Sequence, residues 1–521
     1  MSLRIMEDLK LHANPGALLL LNKVSHSLIE ESVRSYLVGG FVRDILLGRD
    51  TADIDIAVAA DALEIAPRVA NALGGRYVPL DEINRVGRVV LTEHDTGEKW
   101  ELDFSTLKGN IEDDLAQRDF AIDAMAIELD NIICQPVSSG ERGELSLELS
   151  MLIDPFDGWH DIRQRIIRAV NNMTFKSDPA RLLRAVRLAA ELDFSIDSKT
   201  EALIQPDCHL ASEVAGERVR EELIRILAIP GTWQILNYLD ELGLLTTLIP
   251  ELAQTKGIEQ PTVHFWDVFD HSLRVVAAMD FLFRQGNWDY ASKEVLPAVP
   301  WSEALSQHFD QEISSGSTRR SLVKLAALLH DISKPQTKAT DEDGRARFLG
   351  HAKEGATIAA DILKRLRFST KEIKLVEAMV SHHLRPGQMS HEGLPSNRAT
   401  YRYFRDTGES GIDILFLSLA DHLATRGPNL DPAQWQKHTQ VVEYVLAKHF
   451  EDERLIVPPK LIDGHDLINI FGMSPGPEIG KLLEAVREAQ AAGEVTHTQE
   501  ALTYIKHSLT HSKEASTKNS S

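Results

Sequence analysis

The run DIDIAV sets Asp53 and Asp55 two residues apart, shortly after LVGGFVRD with its paired glycines and arginine. In an extended strand alternate side chains share a face, so the two carboxylates project together while Ile54, Ile56 and Val58 pack behind them. Like charges held this close call for a cation, and hard oxygen ligands suit Mg2+ bridging to substrate phosphates. KWELDFSTL can bring a third carboxylate, Asp103, from a neighbouring strand. Gly39 and Gly40 let the backbone approach a polyphosphate closely, and Arg43 offers it a planar cation. The chemistry implied is metal-assisted transfer on a polyphosphate.

A second constellation lies in DPARLLRAVRLAAELDF. On a helix, Asp178, Arg181, Arg184 and Arg187 are three apart and form a drifting stripe, with Leu182, Leu183, Val186 and Ala190 on the buried side. Asp accepts and Arg donates, so the first pair can read a base edge while the later arginines bind phosphates.

The elements that must hold these residues follow from periodicity and punctuation. Short β-rich runs alternate with helical segments up to about Asp130, and CQPVSSGERGELSLE reads as a loop or hairpin. Strand signals then nearly vanish. The expected fold class is α+β and multidomain: a small mixed α/β head at 1–160, then all-α units. These are a neck at 161–255, a helical unit at 256–430 with NWDYASKEVLPAVPWSEALSQHFDQEISSGSTRR as an inserted loop, and a tail at 431–510. The polar residues 511–521 are expected to be disordered.

With 521 residues, a net charge of −22 and 43% hydrophobic residues, the chain reads as several globular modules rather than a protein that coats nucleic acid nonspecifically. Basic islands such as RLLRAVR and DIRQRIIRAV stand out locally. Cys134 and Cys208 suggest no disulfide framework. The N-terminal segment resembles neither a signal peptide nor a membrane span, so a cytoplasmic location without membrane partners is expected.

The motifs together resemble the class II tRNA nucleotidyltransferases and bacterial poly(A) polymerases of the polymerase β superfamily. LVGGFVRDILLG with DIDIAV is similar to the family's first motif, DDLAQRDFAIDAMAIEL to its second, IDPFDG to its third and DPARLLRAVRLAAEL to its nucleotide-recognition motif. The resemblance implies that 1–160 is a nucleotidyltransferase head in which Asp53 and Asp55 hold the metals. Gly40 and Arg43 would contact the nucleotide, and Arg118 would face the triphosphate. Asp178, Arg181, Arg184 and Arg187 would line the nucleotide pocket of a protein template. The chain departs from the family pattern at Gln117, Asp123 and Ser177, where arginine, asparagine and an acidic residue are usual. Only TLKGNIEDD separates the third carboxylate strand from the second motif, as in family members specialised for adding C.

VFDHSLRVV, LLHDISKP, GHAKEGA, VSHHLRPG and LSLADHLATRG resemble, in that order, the HD metal-dependent phosphohydrolases. The resemblance makes His271, His330, Asp331 and Asp421 ligands of a divalent transition metal (Mn, Ni, Co, Fe or Zn), with His351 and His383 completing a second. His382 competes with His383, and Lys334 can neutralise a phosphate oxygen. In the tail, SPGPEIGKLLEAV offers backbone N–H groups near Ile479 and Gly480, with Lys481, to an RNA phosphate. The sequence thus reads as a template-independent nucleotidyltransferase adding C and/or A from CTP and ATP to tRNA 3′ ends, with an HD phosphohydrolase appended. The rivals are a poly(A) polymerase and a hydrolase or regulator with an RNA-binding, transferase-like head.

Overall fold

Alternation in DIDIAV builds a strand with Ile54, Ile56 and Val58 fully buried, at the centre of a mixed sheet. The computed structural model describes residues 8–92, 99–131, 133–134, 143–261, 263–389, 393–451 and 458–518. They fall into two units, Met1–Val214 with Leu242–Leu244, and Ala215–Glu241 with Leu245–Ser521.

The first unit contains strands β1 (Asp8–Ala13), β2 (Ser35–Val38), β3 (Asp53–Val58), β4 (Arg76–Asp81), β5 (Val86–Thr92), β6 (Lys99–Thr106), β7 (Ala126–Glu128), β8 (Ile133–Cys134), β9 (Gly143–Glu148) and β10 (Leu152–Ile153). Seven of them form the sheet β10-β7-β2-β3-β6-β5-β4. β3 pairs antiparallel with β2 and parallel with β6. The segment read as a loop or hairpin forms the antiparallel pair β8–β9, and β9 also pairs with β1.

Helix α1 (Pro15–Glu30) starts on the Asn14 cap, and α2 (Gly39–Leu46) follows β2 without a connecting residue. That abrupt turn requires Gly39 at φ +68°, a left-handed conformation unfavourable for other residues. α3 (Ala62–Leu73) is bounded by an Asp61 cap and by Gly74 at φ +71°, and α4 (Ile111–Leu115) by an Asn110–Asp113 capping box. α5 (Ala180–Leu192) buries Leu182, Leu183 and Val186 and ends on left-handed Asp193.

The second unit is helical: α6 (Gly216–Ala228), α7 (Val268–Leu282), α8 (Arg319–Leu329), α9 (His351–Arg365), α10 (Thr370–His382), α11 (Arg385–Met389), α12 (Asn397–Thr407), α13 (Gly411–Arg426) and α14 (Pro432–Glu451). Some of its buried charges are paired. Lys324 and Asp280, both buried, lie 2.5 Å apart, and fully buried Glu372 accepts from Arg220, Ser317 Oγ and the Ser369 N–H.

Four expectations about organisation change. The neck at 161–255 is divided: Arg184 of α5 pairs with Asp119 of the first unit, whereas Arg220 of α6 pairs with Glu372 of the second. The stretch taken as an inserted loop carries a helix, Glu303–Asp310, and a short hairpin, because Trp288, Val295, Val299 and Phe309 are buried. The bundle continues past 430, where α14 packs on α13 and Trp435 Nε1 donates to Val295 O at 3.0 Å.

The last change concerns the end of the chain. α15 (Gly464–Phe471), α16 (Pro477–Ala491) and α17 (Thr498–Lys518) share a small core of Leu467, Val486, Ala489, Val495, Ala501 and Ile505. The backbone stays helical through Lys518 where disorder was expected from 511, since extending a formed helix is far easier than nucleating one. α16 meets α12 through the buried pair Tyr401–Ala491 and through charge: Arg402 lies 2.5 Å from Glu488, Arg405 3.0 Å from Glu484 and, just beyond α16, Arg398 2.7 Å from Glu494.

A Cβ at Gly39 would lie 2.7 Å from Arg118 Nη1 and 3.0 Å from Asp55 Oδ2, whereas one at Gly48, φ +67°, would meet nothing within 4 Å. Gly39→Ala and Gly48→Ala should each cost about 1–2 kcal/mol of backbone strain. Gly39→Ala should lower the thermal midpoint further, and the difference between the two variants measures the crowding.

Candidate active sites

In the first unit, strand register assembles the acidic face. Asp55 lies opposite Asp103 across β3–β6, and Asp103 lies opposite Arg88 across β6–β5. Arg88 grips Asp103 in two-pronged fashion, Nε to Oδ1 at 2.7 Å and Nη2 to Oδ2 at 2.8 Å, and also contacts Glu101. Asp53 is exposed at the head of its strand. Burial pushes the Asp55 carboxyl up to about 6; Arg118 opposes the push, and Asp103 and Asp123 add to it. A cation bound here would relieve that repulsion, so the donor set fits a hard divalent ion.

Guanidinium groups surround these carboxylates. Arg43, nearly buried, donates to Asp123 at 2.6 Å and pairs with Asp44 at 3.0 Å. Gly40 leaves the space beside it, since a Cβ there would sit 3.4 Å from Arg43 Nη2. Arg118 donates to Asp114 at 3.3 Å. Arg184 is 2.7 Å from Asp119 and 3.7 Å from Asp123. Against the upward push of burial, Arg184 and Arg181 hold the Asp119 carboxyl below its ordinary value.

Arg181 also donates to the Gln117 carbonyl at 2.7 Å, a backbone contact that any residue at 117 can make. Asp178 accepts from the Ala180 N–H at 3.2 Å and lies 3.9 Å from Arg181. Arg187 departs from the expected lining position. A three-residue spacing rotates the stripe against the helical repeat, so Arg187 is 3% exposed with its guanidinium 2.5 Å from Glu191. Sequence reasoning missed Arg88 and Asp119. Asp119 has a local signal, its place within QRDF, whereas Arg88 has none outside the strand register.

In the second unit, helix ends converge. His271 lies near the start of α7, His330 and Asp331 follow α8, His351 opens α9, His383 caps α10, and Asp421 sits on α13. Asp331 is the common neighbour: its Oδ2 is 3.1 Å from His330 Nε2 and 3.6 Å from His271 Nε2, and its Oδ1 is 3.4 Å from His351 Nε2 and 4.0 Å from His383 Nε2. Asp421 is 3.1 Å from His271 Nε2. His330, His351 and His383 each place Nδ1 on a backbone carbonyl, at 2.8, 2.6 and 2.7 Å, which turns Nε2 toward Asp331.

Nε2 of His330 and of His351 are buried without hydrogen-bond partners, as is Asp331 Oδ1. Two sets of three, His271–His330–Asp331 and Asp331–His351–His383, have ligand atoms within 4.8 Å of one another and share the aspartate. These N and O donors fit two divalent transition ions. His383, not His382, joins the cluster. Burial pushes His271 down and His383 down to about 4, keeping both imidazoles neutral, while the adjacent charges draw His330 up and Asp331 well down against burial. The cluster opens into a cavity of about 710 Å³ that also takes in Lys334, 2.5 Å from Asp331, and His264, which the sequence reading left out. In the tail, the Ile479 N–H is taken by Gly476 O and its side chain by the local core, leaving Gly480 and Lys481 exposed.

Three family models match the chain. The poly(A) polymerase head domain matches residues 35–168, the probable RNA and SrmB-binding site of polymerase A matches 193–255, and the HD domain matches 268–426. The structure is similar to that of the Thermotoga maritima CCA-adding enzyme complexed with tRNA, with a TM-score of 0.55, 23% identity and coverage of 95% of this chain and 96% of that one. It is also similar to a CCA-adding enzyme complexed with ATP, with a TM-score of 0.59, 22% identity and coverage of 95% and 96%. The fold is therefore that of the CCA-adding enzymes: a mixed-sheet head followed by helical units, here with an HD domain among them.

Sequence narrows the class. The A-adding tRNA nucleotidyltransferase of Deinococcus radiodurans is 32% identical over 479 residues, covering 90% of this chain and 94% of that protein. The CC-adding tRNA nucleotidyltransferase of Thermus thermophilus is also 32% identical, covering 90% and 93%. The chain belongs to the tRNA nucleotidyltransferase family. Among the described residues no helix is long and apolar enough to cross a membrane.

The Asp55 environment sets a stability test. Its folded pKa of about 6 stands above the ordinary carboxyl value of 3.8, so ionisation favours unfolding: the cost is absent below about pH 4 and grows as pH rises to about 6. Asp55→Asn should remove a cost on the order of 3 kcal/mol at pH 8 without Mg2+, raising the first thermal transition. At pH 4 the two proteins should unfold together.

Proposed function

We propose that the chain adds C and/or A residues from CTP and ATP to tRNA 3′ ends, using Asp53, Asp55 and Asp103 as its catalytic carboxylates. The observation that carries this reading is the convergence of the Asp55–Asp103 register, the Gly39–Gly40 turn, Arg43 and Arg118 on one face. Asp53 and Asp55 would hold Mg2+, which supplies charge neutralisation between the RNA hydroxyl and the triphosphate. Asp103, locked by Arg88, adds a third fixed negative charge. In the reaction the RNA 3′-oxygen bonds to the α-phosphorus, the bond to pyrophosphate breaks, and the hydroxyl proton leaves to solvent. Gly40, Arg43 and Arg118 orient the triphosphate, while Asp178 and Arg181 present an acceptor and donors to the base edge, with Arg184 behind them. Arg187 would act by fixing α5 from within through Glu191.

Residues 107–110 alone connect β6 to α4. So short a connection favours C addition over the full CCA sequence. The test is incubation with tRNA transcripts ending before C74, at C75 and at A76, each with one labelled nucleotide. Incorporation of C on the end before C74 is expected; incorporation of A on the end at C75 would identify an A-adding enzyme, and extension of unstructured RNA by A alone a poly(A) polymerase. Asp53→Ala and Asp55→Ala should each lower incorporation on the order of 10³-fold while leaving the fold intact.

We further propose that His271, His330, Asp331, His351, His383 and Asp421 bind divalent transition metal ions and that the HD domain hydrolyses phosphoesters. The partnerless buried Nε2 atoms around Asp331 support this. Lys334, on the same cavity, would neutralise a phosphate oxygen of the substrate. Asp331→Ala removes the residue common to both ligand sets. Metal content should fall below half of wild type and phosphoesterase activity should vanish, while Mg2+-dependent nucleotide addition by the same preparation persists.

A further inference from the structure

Beside the cavity of the HD cluster lies a second one of about 570 Å³, between α13 and α14. The two share Asp421, His383, Leu384 and Gln388, so a molecule held at the cluster can extend from one into the other. α13 lines the new cavity with Ser418, Asp421, His422 and Thr425, a spacing that puts all four on one helical face. From α14 come Gln434, Lys437 and His438.

The lining is rich in donors and poor in negative charge. Asp421 is the one carboxylate among the lining residues, and it already faces His271. Arg426, at the end of α13, is steadied by Gln434 Oε1 at 3.0 Å, and Lys437 sits one turn further along α14 at an exposed position. The rings of His422 and His438 stack at 5.3 Å, and Ser418 Oγ lies 2.9 Å from His438 Nε2. His422 Nε2 is buried without a hydrogen-bond partner. Thr425 Oγ1 is spent on Asp421 Oδ1 at 3.2 Å, which leaves two cations and an unused imidazole nitrogen, a set that matches the several oxygens of a phosphate better than any neutral group.

We propose that this cavity binds a second phosphate of the hydrolase substrate, so that the HD domain acts on nucleotides phosphorylated at two separate positions. The proposal rests on the hydrolase reading given above. Hydrolysis itself balances simply: a water oxygen joins the phosphorus at the cluster as the ester P–O bond breaks. The two water protons pass to the released phosphate and the departing sugar oxygen. The second phosphate, in the cavity of Arg426 and Lys437, is unchanged and acts as a handle.

The experiment compares adenosine 3′-monophosphate, adenosine 3′,5′-bisphosphate and a dinucleotide with a 3′-phosphate, using the Mn2+-loaded full-length protein. Wild type should favour one or both doubly phosphorylated substrates by about tenfold in kcat/KM, the worth of one charge-assisted contact. Which of the two is preferred tells a free nucleotide from an RNA end. Arg426→Ala with Lys437→Ala should erase the preference and leave the monophosphate rate unchanged, and Lys437→Glu should reverse it. Equal kcat/KM for all three substrates in wild type overturns the proposal. Equilibrium dialysis of the bisphosphate against metal-free protein separates the two readings. With no hydrolysis of any substrate, a tenfold tighter binding by wild type than by the double variant leaves the cavity standing and sinks the hydrolase, whereas equal binding overturns the cavity.

Discussion

Asp55 shares its face with Asp103 on the next strand and its surroundings with Asp123, and burial together with these two neighbours raises the cost of its negative charge. Much of the head answers that one constraint. Arg88 from the neighbouring strand offsets Asp103, Arg43 from the helix after the glycine turn offsets Asp123, and Arg184 from α5 spans Asp119 and Asp123. The compensation is incomplete at Asp55 itself, whose carboxyl stays raised. A site left short of positive charge at one point is a site made for a mobile cation, since filling that gap with a fixed arginine would remove the reason for metal to bind.

The HD cluster meets the same constraint with different partners. There Lys334 and the imidazole of His330 stand beside Asp331, and carbonyl oxygens fix the opposite edges of three rings. Aiming Nε2 by an Nδ1 contact settles ring orientation before any ion arrives, which lowers the ordering cost of binding. Hard oxygen donors dominate the first site and imidazole the second. The two sites thus differ in the donors they present.

How far this was legible in the sequence depends on how local each cause is. The strand carrying Asp53 and Asp55, the turn at Gly39 and the buried side of α5 all follow from neighbours a few residues away, and they were readable. Arg88 was not, because its role depends on the register between β5 and β6, a pairing that no local pattern encodes. His382 and His383 are adjacent and chemically identical in sequence, and the last turn of α10 alone decides which one is buried. Arg187 was misplaced for a geometric reason, the drift of a three-residue repeat around a 3.6-residue helix. Residues 287–320 read as a loop since their apolar residues are scattered without period, yet Trp288, Val295 and Phe309 fill the bundle core. The neck looked like one domain because helical periodicity does not reveal which neighbour a helix will choose.

The contact between α12 and α16 has a character unlike either core. Arginines on α12 face glutamates on and just after α16 at the surface, with the buried Tyr401–Ala491 pair as the apolar contact beside them, while most of the tail's apolar packing is its own. Attractions of this kind weaken with ionic strength, and the Debye length at physiological salt is only about 8 Å. The tail is consequently a module with a small core of its own, held to the bundle by one buried apolar pair and an electrostatic latch whose share of the attachment the surrounding electrolyte sets.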